Sequence, residues 1–233
     1  METITLKQKV LSENQRIATA LRQRYDAAGL LCLNLISAPG SGKTALLEKT
    51  LEALGREEPS RRLRVAVLTG DIQTDNDARR LARYGYPVKQ ITTGGTCHLD
   101  GTMIERALAD WKLDEIDLLF IENVGNLVCP SSYDLGEHAK IVLLSVTEGD
   151  DKPLKYPSIF FKSELFLMTK VDLLGLVPFD ADEAERNARR IHQGMEIVRC
   201  SATKEGGLDG WLKWLEARLE AVREGLHAGV ASN

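Results

Sequence analysis

A glycine-rich turn between an apolar run and a helical pattern constrains this chain more than any other feature. Residues 37–44 read Ser-Ala-Pro-Gly-Ser-Gly-Lys-Thr; they follow the apolar run 31–36 and overlap the start of a helical pattern over 43–54. In such a strand–loop–helix, the loop N–H groups point inward at an anion, and the helix adds the positive end of its dipole. The turn therefore predicts a phosphate-binding loop, in which Ser37 replaces the usual first glycine.

The residues of this loop have separate expected roles. Lys43 reaches the β- and γ-phosphates, and the Thr44 hydroxyl ligates Mg²⁺. The backbone groups that cradle the phosphates come from four further positions, Gly40, Ser41, Gly42 and Ala45. A tight strand–helix turn without a ligand is the alternative, but such a turn has no need of a Gly-Lys-Thr sequence.

The succession of apolar run and helix repeats along the chain. Further apolar runs lie at 64–69, 88–92, 116–121, 141–146, 165–169 and 196–200. Helical patterns lie at 74–84, 99–109, 181–193 and 207–224. We therefore predict an α/β fold of the P-loop NTPase class, with helices on both faces of a mostly parallel sheet of about seven strands.

The chain divides into one domain and two flanking segments. Residues 5–27 form a polar helical pattern with a rough apolar stripe, so residues 1–30 are predicted to be an N-terminal helical appendage. Residues 31–225 are predicted to form the nucleotide-binding domain, which carries every candidate site. The small and polar residues 226–233 are expected to be a disordered tail.

Composition and charge exclude several classes of protein. Of 233 residues, 43% are apolar and 27% are charged, as in ordinary globular proteins. The net charge is −4, so the chain lacks the excess of basic residues that is typical of a nucleic-acid binder. No apolar run approaches the ~18 residues of a transmembrane helix, and the start does not resemble a signal peptide. We therefore expect a cytoplasmic protein with reduced thiols, with neither nucleic acid nor membrane as partner.

A second motif indicates which base is bound. Thr-Lys-Val-Asp at 169–172 resembles the Asn-Lys-x-Asp guanine motif of GTPases. The Asp172 carboxylate can accept from N1–H and the exocyclic amine of guanine, whereas adenine would leave it unpaired; the Lys170 stem can pack on the ring. Ser201 and Ala202 resemble the loop that supports the base. GTP or GDP is therefore favoured over ATP.

Carboxylates that follow two strands are candidates for Mg²⁺ and for positioning the attacking water. Strand-end carboxylates of a parallel sheet face its ligand crevice. Glu122 is expected to serve Mg²⁺, and the Gly125 N–H to bond the γ-phosphate. Asp71 is a candidate for binding Mg²⁺ or for positioning the attacking water, and Asp77 is the alternative candidate. Asp75 and Asp77 can instead be helix caps. Lys43, Asp71 and Glu122 are the predicted catalytic residues.

The rate of hydrolysis is expected to be low without a partner. Asn126, not a glutamine, directly follows Gly125, and no arginine finger can be identified. Positioning and charge neutralisation supply most of the catalysis in this class of reaction, so missing groups slow it.

Two of the four cysteines are candidate metal ligands. Cys97 and His98 are adjacent after one apolar run, and Cys129 follows another, so all three can emerge at one edge of the sheet. Two thiolates and an imidazole suit Zn²⁺ or Ni²⁺. Spacing alone leaves open that these are ordinary buried or capping residues, as predicted for Cys32 and Cys200.

Three segments carry a close resemblance to a known family. They are Cys-His-Leu-Asp at 97–100, Glu-Asn-Val-Gly-Asn-Leu-Val-Cys-Pro at 122–130, and Ser-Val-Thr-Glu-Gly-Asp-Asp-Lys-Pro at 145–153. With the phosphate loop they resemble HypB, the nickel-incorporation GTPases of hydrogenase. The resemblance implies a GTPase that helps deliver nickel to [NiFe]-hydrogenase, with Cys97, His98 and Cys129 as Ni²⁺ or Zn²⁺ ligands.

The resemblance also implies partners. It implies a homodimer favoured by GTP, with the metal site at the subunit interface, a HypA-like zinc-binding nickel chaperone, and the hydrogenase large-subunit precursor. Some members add an N-terminal Cys-rich or His-rich metal segment, which these residues lack, so we expect no such extra nickel site. In the charged segment 148–153 and just beyond it, Lys152 or Lys155 is expected to contact nucleotide or the second subunit; a solvated loop is the alternative.

The order of the motifs suggests a coupling. Cys129 lies only seven residues past Glu122, so a nucleotide-dependent shift of this turn would move one metal ligand relative to Cys97 and His98. Three other functions stay open: a urease accessory GTPase, whose metal motif differs, a metal-storage protein, which has no need of Gly-Lys-Thr, and a small-molecule kinase, which needs a lid that the sequence does not show.

Overall fold

The computed structural model describes residues 6–58 and 62–225, and the predicted tail 226–233 lies outside them. The strands are β1 Leu31–Ser37, β2 Val65–Asp71, β3 Val88–Thr92, β4 Leu118–Glu122, β5 Ala139–Ser145, β6 Leu165–Thr169 and β7 Glu196–Arg199. The helices are α1 Leu6–Ala28, α2 Lys43–Gly55, α3 Asn76–Ala82, α4 Gly101–Ala107, α5 Lys152–Lys155, α6 Pro157–Lys162, α7 Ala181–Ile191 and α8 Asp209–Arg223.

The strands form one sheet in the order β3-β2-β4-β1-β5-β6-β7, and every described pair is parallel. This confirms the predicted α/β fold. Strand β1 lies between β4 and β5, so the loop after β1 is flanked by the loops after both neighbours. Ligands of such sheets bind outside the carboxyl ends of the strands, where the strand order reverses. The fold therefore brings residues far apart in sequence to one crevice.

Alternating side chains of β1 pack on the two faces of the sheet. Leu31, Leu33 and Leu35 belong to a buried cluster with residues of α2 and α8, whereas Cys32 packs in a second cluster with α1 and α4. A third buried cluster joins β5 and β6 to α6 and α7. Both faces are covered, and the predicted burial of Cys32 is confirmed.

Helix α1 contributes to the second of these clusters. Ile17, Leu21 and Tyr25 are buried there beside residues of the sheet. Gly136, in the loop before β5, lies so close that a Cβ on it would be 2.8 Å from the Ala18 carbonyl oxygen; its φ of +81° also favours glycine. The helix is seated closely on the sheet, and the proposed division at residue 30 stays a prediction.

The structure adds two short helices that the sequence pattern did not predict. Helices α5 and α6 each have a proline in the first turn, and they span only four and six residues. Segments of that length are too short to show helical periodicity. Within the described residues, no helix has the length and apolar content needed to cross a membrane.

Candidate functional site

The phosphate loop connects β1 to α2 at the centre of the sheet edge. Gly40 and Gly42 have φ of 76° and 94°, the left-handed region that favours glycine, so the loop curls as the motif predicts. The buried Lys43 ammonium donates to the Ser37 hydroxyl at 2.9 Å. Ser37, the departure from the usual glycine, is therefore a hydrogen-bond partner of the lysine. Burial lowers the pKa of Lys43, while Glu122 opposes that change.

A cavity of about 770 Å³ opens above this loop, and we call it the nucleotide cavity. It is bounded by the phosphate loop and by the segments that follow β2 and β4. The predicted residues that line it are Gly40, Gly42, Lys43, Thr44, Ala45, Asp71, Asp77, Glu122 and Gly125. The structure thus brings together nine residues from three separate segments of the chain.

Glu122 is the carboxylate most deeply placed in the nucleotide cavity. Its Oε1 accepts from the Thr44 hydroxyl at 2.7 Å, and its buried Oε2 finds no hydrogen-bond partner among the described residues. Burial raises the pKa of Glu122 to about 7, against the opposing effects of Lys43 and the Thr44 hydrogen bond. An unpaired carboxylate oxygen beside a threonine hydroxyl is a suitable ligand set for Mg²⁺.

The three aspartates after β2 have different surroundings. Asp71 accepts from the N–H groups of Gln73 and Thr74, both at 2.8 Å; these bonds lower its pKa, although partial burial acts to raise it. Asp77 lines the nucleotide cavity, whereas Asp75 does not line it. Asp75 precedes α3, but its side chain makes no capping hydrogen bond. Asp71 and Asp77 therefore both stay candidates for Mg²⁺ or water.

The guanine motif is connected to the phosphate loop by two hydrogen bonds. The Thr169 hydroxyl donates to the Ser41 carbonyl at 2.6 Å, and Lys170 Nζ donates to the Gly40 carbonyl at 2.7 Å. Lys170 is the only non-glycine described residue with positive φ, at 58°. This left-handed conformation is uncommon for a residue other than glycine, and residues held in it cluster at functional sites.

The two parts of the guanine-binding prediction also contact each other. The Ser201 hydroxyl donates to Asp172 Oδ1 at 2.6 Å, and this bond lowers the pKa of Asp172 despite some desolvation. Asp172 is therefore an oriented, ionised acceptor. Ala202 follows in the same loop and is half-buried.

Two side chains at the nucleotide site escaped the sequence reasoning. Glu148 Oε1 accepts from the Ser41 hydroxyl at 2.7 Å and from the Ser145 N–H at 3.0 Å. Arg80 lines the nucleotide cavity and donates to Glu48 at 3.1 Å. Both contacts join distant segments, and no local spacing indicates them.

Lys152 lies in the charged segment 148–153 and Lys155 lies just beyond it, and each pairs with an acidic residue of that segment. Lys152 Nζ lies 3.4 Å from Glu148, and Lys155 Nζ lies 2.6 Å from Asp151. Their expected contacts with nucleotide or a second subunit stay predictions.

Cys97, His98 and Cys129 converge beside the nucleotide cavity, and we call them the metal cluster. One ligand atom from each lies within 4.8 Å of the others, and the two Sγ atoms are 3.0 Å apart. Cys97 and His98 follow β3, and Cys129 begins a 3₁₀ turn after β4. The structure therefore brings the three predicted ligands to one place. A fourth ligand would have to be water, another group or a second subunit.

The ligand atoms of the metal cluster differ in protonation. A hydrogen bond with Cys129 raises the pKa of Cys97, whereas burial lowers the pKa of His98. The imidazole is thus a neutral ligand at neutral pH, while the thiol must release its proton when a metal binds. Because of that release, we expect the affinity of these residues for a metal to fall as the pH falls.

Tyr133 is a further residue that the sequence did not reveal. Its ring stacks on His98, with ring centroids 4.0 Å apart and an angle of 23° between the planes. The Nδ1 atom of His98 is buried and has no hydrogen-bond partner among the described residues. Since Nδ1 makes no such bond, the stack on Tyr133 is a contact that helps to orient the ring. The sequence signal for Tyr133 would have been an aromatic residue soon after Cys129.

A parallel sheet with a lysine-bearing phosphate loop, strand-end acids and an oriented Lys-x-Asp motif defines a P-loop GTPase. Residues 31–199 match the family model CobW/HypB/UreG, nucleotide-binding domain. The chain belongs to the HypB family, which confirms the resemblance found in the sequence.

Relatives and solved structures agree on this family. The hydrogenase maturation factor HypB of Azotobacter vinelandii is 48% identical over 231 residues, covering 95% of this chain and 74% of the relative. The same factor of Escherichia coli is 50% identical over 209 residues, covering 90% of this chain and 70% of the relative. HypB from Helicobacter pylori, solved in complex with nickel, has a TM-score of 0.83 and 39% identity, covering 94% of this chain and 99% of that one.

Proposed function

We propose that this chain is a GTP-hydrolysing metallochaperone that binds nickel, or zinc, and assists nickel insertion into [NiFe]-hydrogenase during maturation. The observation that carries the proposal is the metal cluster, whose ligand atoms lie within 4.8 Å of one another. Two thiols and an imidazole suit these metals, and an incomplete ligand set suits a site that must release its metal. The nickel-bound structure of the similar Helicobacter pylori HypB supports nickel as the cargo.

The chemical step belongs to the residues of the nucleotide cavity. Lys43 would neutralise charge on the transferred phosphoryl group, and the loop N–H groups and Gly125 would hold it in place. Thr44 and Glu122, with Asp71 or Asp77, would hold Mg²⁺, which neutralises charge on the β- and γ-phosphates when bound. The unpaired Oε2 of Glu122 supports that assignment.

Nucleotide state and metal binding are proposed to be coupled, because both sites share the segment after β4. Glu122 and Gly125 border the nucleotide cavity, and Cys129 lies a few residues further on. A change at the γ-phosphate would then alter nickel affinity, and linkage requires the reverse effect as well. A homodimer favoured by GTP, by metal or by both would allow a second subunit to complete the metal site.

The proposal also includes two protein partners and a cellular compartment. The expected partners are a HypA-like nickel chaperone and the hydrogenase large-subunit precursor. The four cysteines are free thiols, which suits a reducing compartment such as the cytoplasm.

Nickel titration with sizing tests the proposal. The full chain is titrated with nickel in the presence of GDP or of a non-hydrolysable GTP analogue, and its mass in solution is followed. We expect the two nickel dissociation constants to differ by roughly 5- to 150-fold, the usual range for coupled sites. Cys129→Ala should lose tight nickel binding, while the matched variant Cys200→Ala should keep it. Equal nickel affinities in both nucleotide states would refute the coupling.

A further inference from the structure

Two asparagine side chains connect the turn after β4 to the segment that carries Cys97 and His98. Asn126 Nδ2 donates to the Cys97 carbonyl at 3.1 Å. Asn123 Oδ1 accepts from the Leu99 N–H at 3.4 Å. The two bonds bracket His98, one on each side. The backbone that carries Cys97 and His98 is therefore held by two side chains of the turn after β4.

Asn126 also reaches the third ligand. Its Oδ1 accepts from the Val128 N–H at 2.9 Å, directly before Cys129. One amide group thus bridges the backbone of Cys97 and the residue that precedes Cys129. A planar amide with both ends hydrogen-bonded resists change in the distance between its partners, because displacement breaks one of the bonds.

The same turn lies against the phosphate loop. A Cβ placed on Gly125 would lie 3.1 Å from both the N and the Cα of Pro39, so the two backbones are in close contact. Asn123 and Val124 are buried directly before it. We therefore expect a shift of this closely packed turn to displace the neighbouring Asn126. Contacts run without a gap from Pro39 through Gly125 and Asn126 to Cys97.

We propose that Asn126 is a positioning residue that transmits nucleotide-dependent movement of the Gly125 turn to Cys97 and His98, with Asn123 as its buried counterpart. This inference rests on the proposed coupling of nucleotide and nickel. The inference adds the group through which this coupling would pass, the side-chain amide of Asn126. That amide bonds both segments that carry proposed metal ligands, and it lies in the same turn as Gly125, whose N–H is proposed to contact the γ-phosphate.

The test compares nickel affinity in two nucleotide states for wild type and Asn126→Ala. Nickel dissociation constants are measured by competition with a chromophoric chelator, with GDP and with a non-hydrolysable GTP analogue. The quantity of interest is the ratio of the two constants. We expect a wild-type ratio in the range of roughly 5- to 150-fold, which Asn126→Ala reduces to about twofold or less while nickel binding itself persists.

Two further variants make the comparison specific. Asn126→Asp keeps the acceptor for the Val128 N–H but loses the donor to the Cys97 carbonyl, so it should also reduce the ratio. Asn14→Ala is the matched control: Asn14 donates to the Asp134 carbonyl at 2.8 Å and accepts from the Gly101 N–H at 2.7 Å. It removes the same number of side chain–backbone bonds near the same segment, and the wild-type ratio should survive.

The outcomes separate this inference from the function on which it rests. A wild-type ratio of one overturns the coupling and the relay together. A wild-type difference that persists in both Asn126 variants overturns the relay alone and leaves the proposed function standing. Loss of nickel binding in both nucleotide states of both variants assigns Asn126 to holding the metal cluster together, which also overturns the relay. A ratio abolished equally by Asn14→Ala would show that general loosening of the structure is enough, which also overturns the relay.

Discussion

The nucleotide site and the metal cluster lie side by side but differ in how the fold supports them. Lys43 and Thr44 are buried at the start of α2, and Glu122 is buried at the end of β4; side-chain hydrogen bonds orient all three. Cys97 and Cys129, by contrast, are half-buried and lie on loops that follow β3 and β4. The first site is built on a strand end and on the start of a packed helix, and the second on connecting segments.

In the proposed function, one small domain would combine a fixed reaction centre with a metal site that can adjust. Groups at strand ends hold their geometry because the sheet hydrogen bonds and the core hold the backbone. Side chains on loops can move relative to one another at little cost, and the proposed coupling of metal affinity to the neighbouring nucleotide would use that freedom.

Lys43→Ala is expected to have the largest effect. Loss of a buried cation that faces the phosphates should lower kcat/KM for GTP by roughly 10²- to 10³-fold, the usual cost of removing one preorganised stabilising group. Nickel affinity without nucleotide should stay unchanged, because the metal cluster makes no contact with this side chain. Steady-state phosphate release and a nickel titration measure the two quantities.

Lys49→Ala is the matched control for that variant. Lys49 lies on the same helix but is half-exposed and pairs with Glu52 at 2.7 Å. Its loss should leave hydrolysis unchanged. If Lys43→Ala also removed nickel binding, the contrast between the two sites would be wrong.

Asp172→Asn should have an intermediate effect. The substitution removes the charged acceptor that Ser201 orients, and hydrogen bonds to charged groups contribute about 1.5–3 kcal/mol, so GTP affinity should fall by roughly 10- to 100-fold. ATP affinity should barely change, since adenine does not use that carboxylate. Competition binding with the two nucleotides measures the discrimination.

Asp182→Asn serves as the control, because this exposed carboxylate at the start of α7 pairs with Arg199 of β7 and belongs to neither part of the base motif. A preference for GTP that survives Asp172→Asn would show that guanine is recognised elsewhere.

Tyr133→Leu is expected to have the smallest effect, and it acts only on the metal side. Leucine keeps apolar bulk but loses the ring that stacks on His98, so nickel affinity should fall about 10-fold, as for other supporting groups of metal ligands. GTP affinity should not change. Tyr84→Leu, at a half-buried tyrosine after α3, provides the control. An unchanged nickel affinity in Tyr133→Leu would mean that His98 needs no aromatic support.

Much of this arrangement was predictable from sequence because its signals are local. The strand–loop–helix around Lys43, the alternation of apolar runs and helices, and the Lys-x-Asp motif each occupy a few neighbouring residues. The metal cluster needed the family resemblance, because helix α4 and strand β4 lie between Cys97 and Cys129 in the chain. Spacing alone left them open as ordinary buried residues.

Other features lay beyond sequence reasoning because they depend on contacts between distant segments. Glu148 bonds Ser41 across more than a hundred residues. Tyr133 reaches His98 only because the segments after β3 and β4 converge at one end of the sheet. The roles of Asp71 and Asp77 are also undecided by spacing, since both follow β2 and both line the nucleotide cavity.

The order of residues along the chain was enough to specify the fold class, the phosphate loop and the type of ligand that each motif suits. These are matters of local geometry: glycines that allow a curled backbone, apolar runs that must be buried, and thiols that bind soft metals. Only the folded sheet decided which loops meet. The placement of β4 between β2 and β1 sets the Gly125 turn against both the phosphate loop and the Cys97 segment. That contact is a property of strand order, which no neighbouring residues encode.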